Sequence, residues 1–163
     1  MIGSRWDCIV VGGGAAGLFA AGTAAERGRK VLVLEKNAKA GPKILMSGGT
    51  RCNVTHHCDS RKIAEAFGKK GRALLSPLQR MSPQDVVKVF DHLGVPTKVE
   101  ETGKVFPLSN RAIDVRDALL KRLSDAGGVL QTSTAVEQYY TFLQRDRALK
   151  CSCPTNRFWA ERS

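Results

Sequence analysis

The chain has 163 residues, enough for one domain with a respectable core, and its 42% hydrophobic and 25% charged content is ordinary for a globular protein. A net charge of +11 and a pI near 9.8 leave room for nucleic acid, a membrane surface or an anionic cofactor. Basic residues are spread along the chain, with only Arg27-Gly28-Arg29-Lys30 and Lys69-Lys70-Gly71-Arg72 as small clusters, and aromatics are only 6%, which reads as solvated basic surface and excludes an obvious base-stacking platform.

The apolar run Cys8-Ile9-Val10-Val11 predicts a first strand and leads into Gly12-Gly13-Gly14-Ala15-Ala16-Gly17, which opens a helical stretch of small residues closed by Gly28 as its C′ residue. A second apolar run, Val31-Leu32-Val33-Leu34, predicts the next strand and ends at Glu35, eighteen residues after Gly17. This is a dinucleotide grip. Gly12 makes the turn, Gly14 admits a pyrophosphate to the backbone, Gly17 lets helix and strand pack closely, and Glu35 accepts from ribose hydroxyls. The helix N-terminus, at Ala15 and Ala16, offers free N–H groups and a positive dipole end to the phosphates. A carboxylate at position 35 disfavours a 2′-phosphate, so FAD or NAD is expected over NADP. Residues 8 to 25 are uncharged, but three consecutive glycines interrupt the segment, so neither a membrane span nor a signal peptide is expected.

Residues 37 to 60 read as a long Gly-rich connection. Ser82 and Pro83 predict a helix start, with the helix running through Val86, Val87 and Phe90 to Gly94. Thr97 to Glu100 and Lys104 to Phe106 predict two short strands around Thr102-Gly103. Asn110 is expected to cap a helix with Ala112, Val115, Leu119, Leu123 and Ala126 on one face, closed by Gly127, and Val129 to Thr132 the strand after it. Beyond Glu137 no period and no partner strand is visible. Residues 1–137 are therefore expected to form the N-terminal portion of a cofactor domain, and 138–163 an atypical, disordered or frame-disrupted tail.

Five cysteines, an odd number, without a secretory segment fit free thiols in a reducing, cytoplasmic setting. Cys52 and Cys58 enclose His56 and His57, but the paired Cys-x2-Cys spacing of a structural zinc site is missing, so no metal is expected.

The stretch Lys43-x-x-x-Ser47-Gly48-Gly49-x-Arg51-Cys52-Asn53, together with Gly103-Lys104-Val105-Phe106-Pro107-Leu108-Ser109, resembles the BaiN-like, HI0933-like family of bacterial FAD-dependent oxidoreductases. The resemblance covers about residues 5 to 137. It implies an α/β, Rossmann-type FAD/NAD(P)-binding domain of the glutathione-reductase-like three-layer ββα type, truncated here, since family members are more than twice as long. Thr50 stands where the family pattern has Gly, and the neighbourhood of Pro42 also departs slightly. The cofactor implied is FAD, with NAD(P)H as electron donor in the full-length family. Besides Gly12, Gly14, Ala15, Ala16, Gly17 and Glu35, the implied cofactor-binding residues are Lys36, Lys43, Ser47, Gly48, Gly49, Arg51 and Asn53. Arg51 is the candidate to stabilise negative charge on reduced flavin, because a guanidinium stays charged and donates several hydrogen bonds.

The expected function is that of an FAD-dependent oxidoreductase or its N-terminal FAD-binding fragment. The alternatives are a dinucleotide-binding module without turnover and, more remotely, a basic nucleic-acid-binding protein. The expected partner is a small-molecule substrate, with neither nucleic acid nor membrane. No catalytic residue, substrate or oligomeric state is legible.

Overall fold

The computed structural model describes residues 5–141, 148–152 and 157–161. The chain divides into two compact units, one made of Met1–Lys43 and Leu119–Ser163, the other of Ile44–Ala118.

In the first unit, β1 (Arg5–Trp6) precedes β2 (Cys8–Val11), α1 (Ala15–Glu26) and β3 (Val31–Leu34). Strands β2 and β3 pair in parallel from Cys8 opposite Val31 to Val11 opposite Leu34. Asp7 fixes that register: its backbone N–H donates to the Lys30 carbonyl at 2.9 Å, and its carboxylate accepts the Lys30 N–H at 2.7 Å. On the other side of β3 lies β7 (Val129–Gln131), also parallel, so β3 is central and all four of its side chains are buried. A continuous Val/Leu run is what a parallel strand covered on both faces demands. Helix α1 ends in a Schellman motif. Gly28, at φ 76°, donates to the Ala25 carbonyl and Arg29 to that of Ala24.

Three strands lie where the sequence shows no period: β8 (Gln138–Thr141), β9 (Ala148–Ser152) and β10 (Arg157–Glu161). They form an antiparallel meander in the order β8-β9-β10, and β1 adds in parallel to β10. A meander is held by backbone pairing between chain neighbours, so it needs no strong alternating apolar signal.

The second unit carries an antiparallel sheet of order β4-β6-β5, built from β4 (Thr55–His56), β5 (Thr97–Val99) and β6 (Lys104–Pro107). Helix α5 (Pro83–His92) begins as the sequence predicts: the Ser82 hydroxyl accepts the Asp85 N–H while Asp85 reaches back to the Ser82 N–H, a complete capping box with Pro83 at the first position. Between β4 and α5 lie elements without a sequence expectation: α3 (Ser60–Ala66), a 3₁₀ stretch Gly68–Leu74, and α4 (Leu75–Arg80). The connection expected over 37 to 60 is likewise not all loop, since α2 (Pro42–Met46) and β4 lie within it.

Helix α6 (Ala112–Asp125) is shared by the two units, with Ala112, Val115, Leu119 and Leu123 buried as its periodicity predicts. Asn110 is not its cap. It lies just outside the helix at φ 56°, a left-handed conformation that Asn tolerates better than most residues. The Ala112 N–H instead donates to the Thr50 carbonyl at 3.0 Å. No helix among the described residues is long and apolar enough to cross a membrane.

Candidate dinucleotide site

The glycine turn joins β2 to α1. Gly12 adopts φ 101°, which strongly favours glycine, and its N–H donates to the Leu34 carbonyl at 2.8 Å, so the turn leaves β2 still fastened to β3. A Cβ at Gly17 would overlap the Gly12 carbonyl oxygen and come within 3.3 Å of Val10. Gly17 therefore lets the helix lie against the turn. At Gly14 the opposite holds, for a Cβ there meets nothing within 4 Å. Gly14 is the N-cap of α1, makes no side-chain cap, and no acidic residue occupies the first turn. The orphan N–H groups at this helix end are thus free of protein side chains, as an anion site requires.

Beside the turn lies a pocket of about 480 Å³. Gly12, Gly14, Ala15, Glu35, Lys36 and Lys43 all line it, so the grip residues expected from sequence converge on one cavity. Val11, 60% exposed despite its size, contributes an apolar wall. That size and mixed lining suit a nucleotide.

Glu35 is 5% exposed. One carboxylate oxygen accepts the Gly13 N–H at 2.7 Å, and the other accepts both the backbone N–H (2.8 Å) and the side-chain amide (2.6 Å) of Asn37. The Asn37 backbone bond above all, then the Gly13 N–H, the Asn37 amide and the nearby Lys36 charge, hold the carboxyl below the ordinary glutamate range against the opposing effect of burial. Glu35 thus fixes the glycine turn as well as facing the pocket, and the oxygen that accepts the Gly13 N–H keeps acceptor capacity for a ribose hydroxyl. Gly13 is locked from its other side too, because its carbonyl accepts the Gly41 N–H at 2.8 Å.

The sequence did not single out Val11, Asn37 or the lining residues Thr134, Ala135 and Val136. The segment after β7 is drawn to the pocket by backbone bonds from Ser133 to the Asn37 carbonyl (2.9 Å) and from Thr134 to the Glu35 carbonyl (2.8 Å). Its only sequence signal was a polar stretch directly after a predicted strand.

Ser47, Gly48, Gly49, Arg51 and Asn53 lie in the second unit and form one tight loop. The Cys52 N–H donates to the Ser47 carbonyl at 3.0 Å, closing it. Gly48, Gly49, Thr50 and Cys52 all have positive φ. Gly48 has a second reason to be glycine, since a Cβ there would sit 2.7 Å from the Phe106 ring and 2.9 Å from the Asn53 nitrogen. With its amide turned as the facing carbonyls of Thr55 and Val105 require, Asn53 donates to them at 2.8 and 3.3 Å, an anchoring role. Arg51 pairs with Glu100 at 2.5 Å and lies 4.1 Å from the centre of the Phe106 ring. Burial raises the Cys52 thiol pKa, which disfavours a reactive thiolate.

Thr50, at φ 68°, occupies a left-handed position where a β-branched side chain is strained. T50G is expected to stabilise the protein by about 0.5–1 kcal/mol, the relief of roughly 1–2 kcal/mol of strain offset by the greater entropy of unfolded glycine. The urea midpoint measures this, and an unchanged or lower midpoint would show that the loop holds Thr50 without strain.

A parallel βαβ unit with an open phosphate cradle at the helix start and a carboxylate at the end of the next strand defines a Rossmann-type FAD-binding domain. The chain matches the HI0933-like protein Rossmann domain over residues 6–160 and belongs to that family. The match runs through the three strands that follow residue 137, beyond the reach of the motifs quoted above. Two relatives named ribosomal RNA dihydrouridine synthase are similar. That of Escherichia coli (strain K12) is 52% identical over 52 residues, 32% of this chain and 13% of the relative. That of Haemophilus influenzae is 35% identical over 98 residues, 60% and 24% of the two chains. A 3-dehydro-bile acid delta(4,6)-reductase of Clostridium scindens is 29% identical over 130 residues, 78% of this chain and 31% of that one. The chain thus spans less than a third of the curated relatives it matches. Among solved structures, 3-ketosteroid-delta4-(5alpha)-dehydrogenase from Rhodococcus jostii RHA1 shares the fold, with a TM-score of 0.69 at 15% identity, covering 97% of this chain and 44% of that one.

Proposed function

We propose that this chain is the FAD-holding part of an oxidoreductase that reduces an activated carbon–carbon double bond, with the uracil ring of ribosomal RNA as substrate. The observation that carries the cofactor reading is the open face of Gly14 beside the pocket that Glu35 borders. When bound, FAD supplies a two-electron carrier between a nicotinamide donor and the double bond. The net change adds a hydride to one carbon and a proton to the other, and oxidises NAD(P)H to NAD(P)⁺. Gly12, Gly14 and the first turn of α1 bind the pyrophosphate, Glu35 and Lys36 flank the adenosine ribose, and Lys43 adds positive charge. Arg51, oriented by Glu100 and Phe106, is the cation proposed to stabilise negative charge on the reduced flavin. Support for double-bond reduction comes from the relatives' names, since a dihydrouridine synthase and a delta(4,6)-reductase both saturate such bonds. Support for RNA comes from the names of the two synthases, and this reading departs from the expectation of no nucleic acid that the spread of charge suggested. A cytoplasmic setting fits the free thiols of Cys8, Cys52 and Cys58.

The test is to purify the protein, record its flavin absorbance, and follow anaerobic NAD(P)H oxidation with unmodified ribosomal RNA or a conjugated steroid dienone. Expected are one FAD per chain and, where this chain stands within the whole oxidoreductase, turnover with the RNA, with dihydrouridine as product. A colourless protein that gains no flavin on titration defeats the cofactor reading, and turnover with the dienone alone defeats the RNA reading.

A further inference from the structure

Residues 60–80, comprising α3, the 3₁₀ stretch and α4, hold six basic residues against one acidic residue, Glu65. They carry net +5 of the chain's +11. Arg61, Lys62, Lys69, Lys70, Arg72 and Arg80 are all exposed, and among the described residues none has an ion-pair partner. In the same unit Arg51, Lys88, Arg111 and Arg116 are each matched to a carboxylate. Gathering unmatched like charges destabilises a fold, so a surface built this way points to an anionic partner.

The frame beneath these charges is closely packed. Gly71 is buried where a Cβ would overlap the Ala64 carbonyl, so the 3₁₀ stretch crosses α3 in backbone contact and holds Lys69, Lys70 and Arg72 in place. The Ser60 hydroxyl donates to the Leu78 carbonyl at 2.9 Å and ties α3 to α4. Asp59 caps α3 through the Lys62 N–H at 2.8 Å. Phe67 ends α3 with 62% of its surface exposed, an aromatic face two residues from Lys69. Cations that track a phosphate backbone next to an exposed ring that can stack a base are the two components of single-stranded nucleic-acid recognition.

We propose that residues 60–80 form the RNA-docking surface of this protein, with the basic residues on backbone phosphates and Phe67 stacked on an unpaired base. The proposal rests on the RNA-substrate reading above. Composition averaged over the whole chain conceals this surface, because the remaining +6 is spread over the other 142 residues and Phe67 counts as one aromatic among few.

The flavin-loaded protein is titrated against a fluorescein-labelled RNA stem-loop across a range of salt, with anisotropy as readout, beside phosphatidylglycerol vesicles in a flotation assay. K69Q/K70Q/R72Q is expected to weaken RNA binding tenfold or more near 0.1 M salt and to lower the slope of log affinity against log salt by about 2, because each lost phosphate contact removes 0.7–0.9 of a unit. R61Q/K62Q, on the other side of Gly71, is expected to lower it by about 1–2. F67A is expected to weaken binding about tenfold with the slope unchanged, the mark of a stacking contact. R27Q/R29Q/K30Q removes three charges from the other unit and is expected to change affinity by less than about threefold, since exposed charges that make no phosphate contact act only through screened attraction. If the parent binds RNA and both basic variants bind it with the parent's slope, or the other-unit variant loses as much, the surface is misassigned while the RNA reading stands. If the parent binds no RNA, or binds the vesicles instead, the RNA reading falls and the surface assignment with it. Unchanged binding by F67A removes the stacking role.

Discussion

G14V is expected to keep its stability and lose its flavin, whereas G17A is expected to lose stability and flavin affinity together. Gly14 has an extended backbone, φ −81° and ψ −176°, that valine adopts without strain, and the space a side chain would enter holds no protein atom. The apoprotein should therefore unfold within about 3 °C of the parent, the cost being a poorer N-cap of about 1 kcal/mol. The same side chain fills the place where a pyrophosphate must approach the backbone, so FAD affinity should fall at least about 100-fold. At Gly17 the obstruction is the Gly12 carbonyl oxygen, a backbone atom that cannot swing aside. Overpacking against it should cost about 3 kcal/mol or more, lowering the midpoint by about 10 °C and distorting the turn that receives the cofactor. Thermal unfolding of the apoproteins and flavin titration of each variant separate the two effects. Flavin retention by G14V at the parent's level would mean that the cofactor does not lie against this turn.

The grip was legible because each part of it is a local property of the chain. Cys8 to Val11 and Val31 to Leu34 announce buried parallel strands, the glycines announce the turn, and Glu35 closes the second strand; all of them line or build one pocket in the first unit. The helix start at Ser82 and Pro83 and the buried face of α6 were legible for the same reason. What escaped depends on contacts distant in sequence or on the backbone alone. Thr134, Ala135 and Val136 reach the pocket only because β7 pairs with β3, a neighbour nearly one hundred residues earlier. Asn37 looks like any loop residue until its amide and N–H are seen to clamp Glu35. The meander of β8, β9 and β10 draws on main-chain pairing that composition does not encode. Gly13, absent from the usual glycine spacing, is held on both sides, by Glu35 and by Gly41.

Glu35→Gln is expected to damage the turn and the pocket together, and to remove part of the protein's acid sensitivity. As a carboxylate, Glu35 accepts the Gly13 N–H on one oxygen and the two Asn37 donors on the other. A glutamine has a single acceptor oxygen, so either Gly13 or Asn37 faces an NH₂ group and a buried donor goes unpaired. The expected loss is about 1–3 kcal/mol of stability. Flavin affinity should fall about tenfold, since one ribose acceptor is also lost and a charge-assisted bond is worth roughly 1.5–3 kcal/mol. The carboxyl titrates below its ordinary range in the folded protein, held there by the Asn37 and Gly13 donors. A depressed folded value means that Glu35 contributes its full stability above the unfolded glutamate pKa, and that this contribution drains away as pH falls from there through the lower folded value. The parent should therefore lose stability over that acidic window more steeply than E35Q, with the two curves separated by a constant amount at neutral pH and converging toward acid. Urea denaturation from neutral pH down to the limit of reversibility measures both curves. Parallel curves throughout would show that Glu35 titrates alike in the folded and unfolded chain, and that the clamp from Gly13 and Asn37 does not hold its charge.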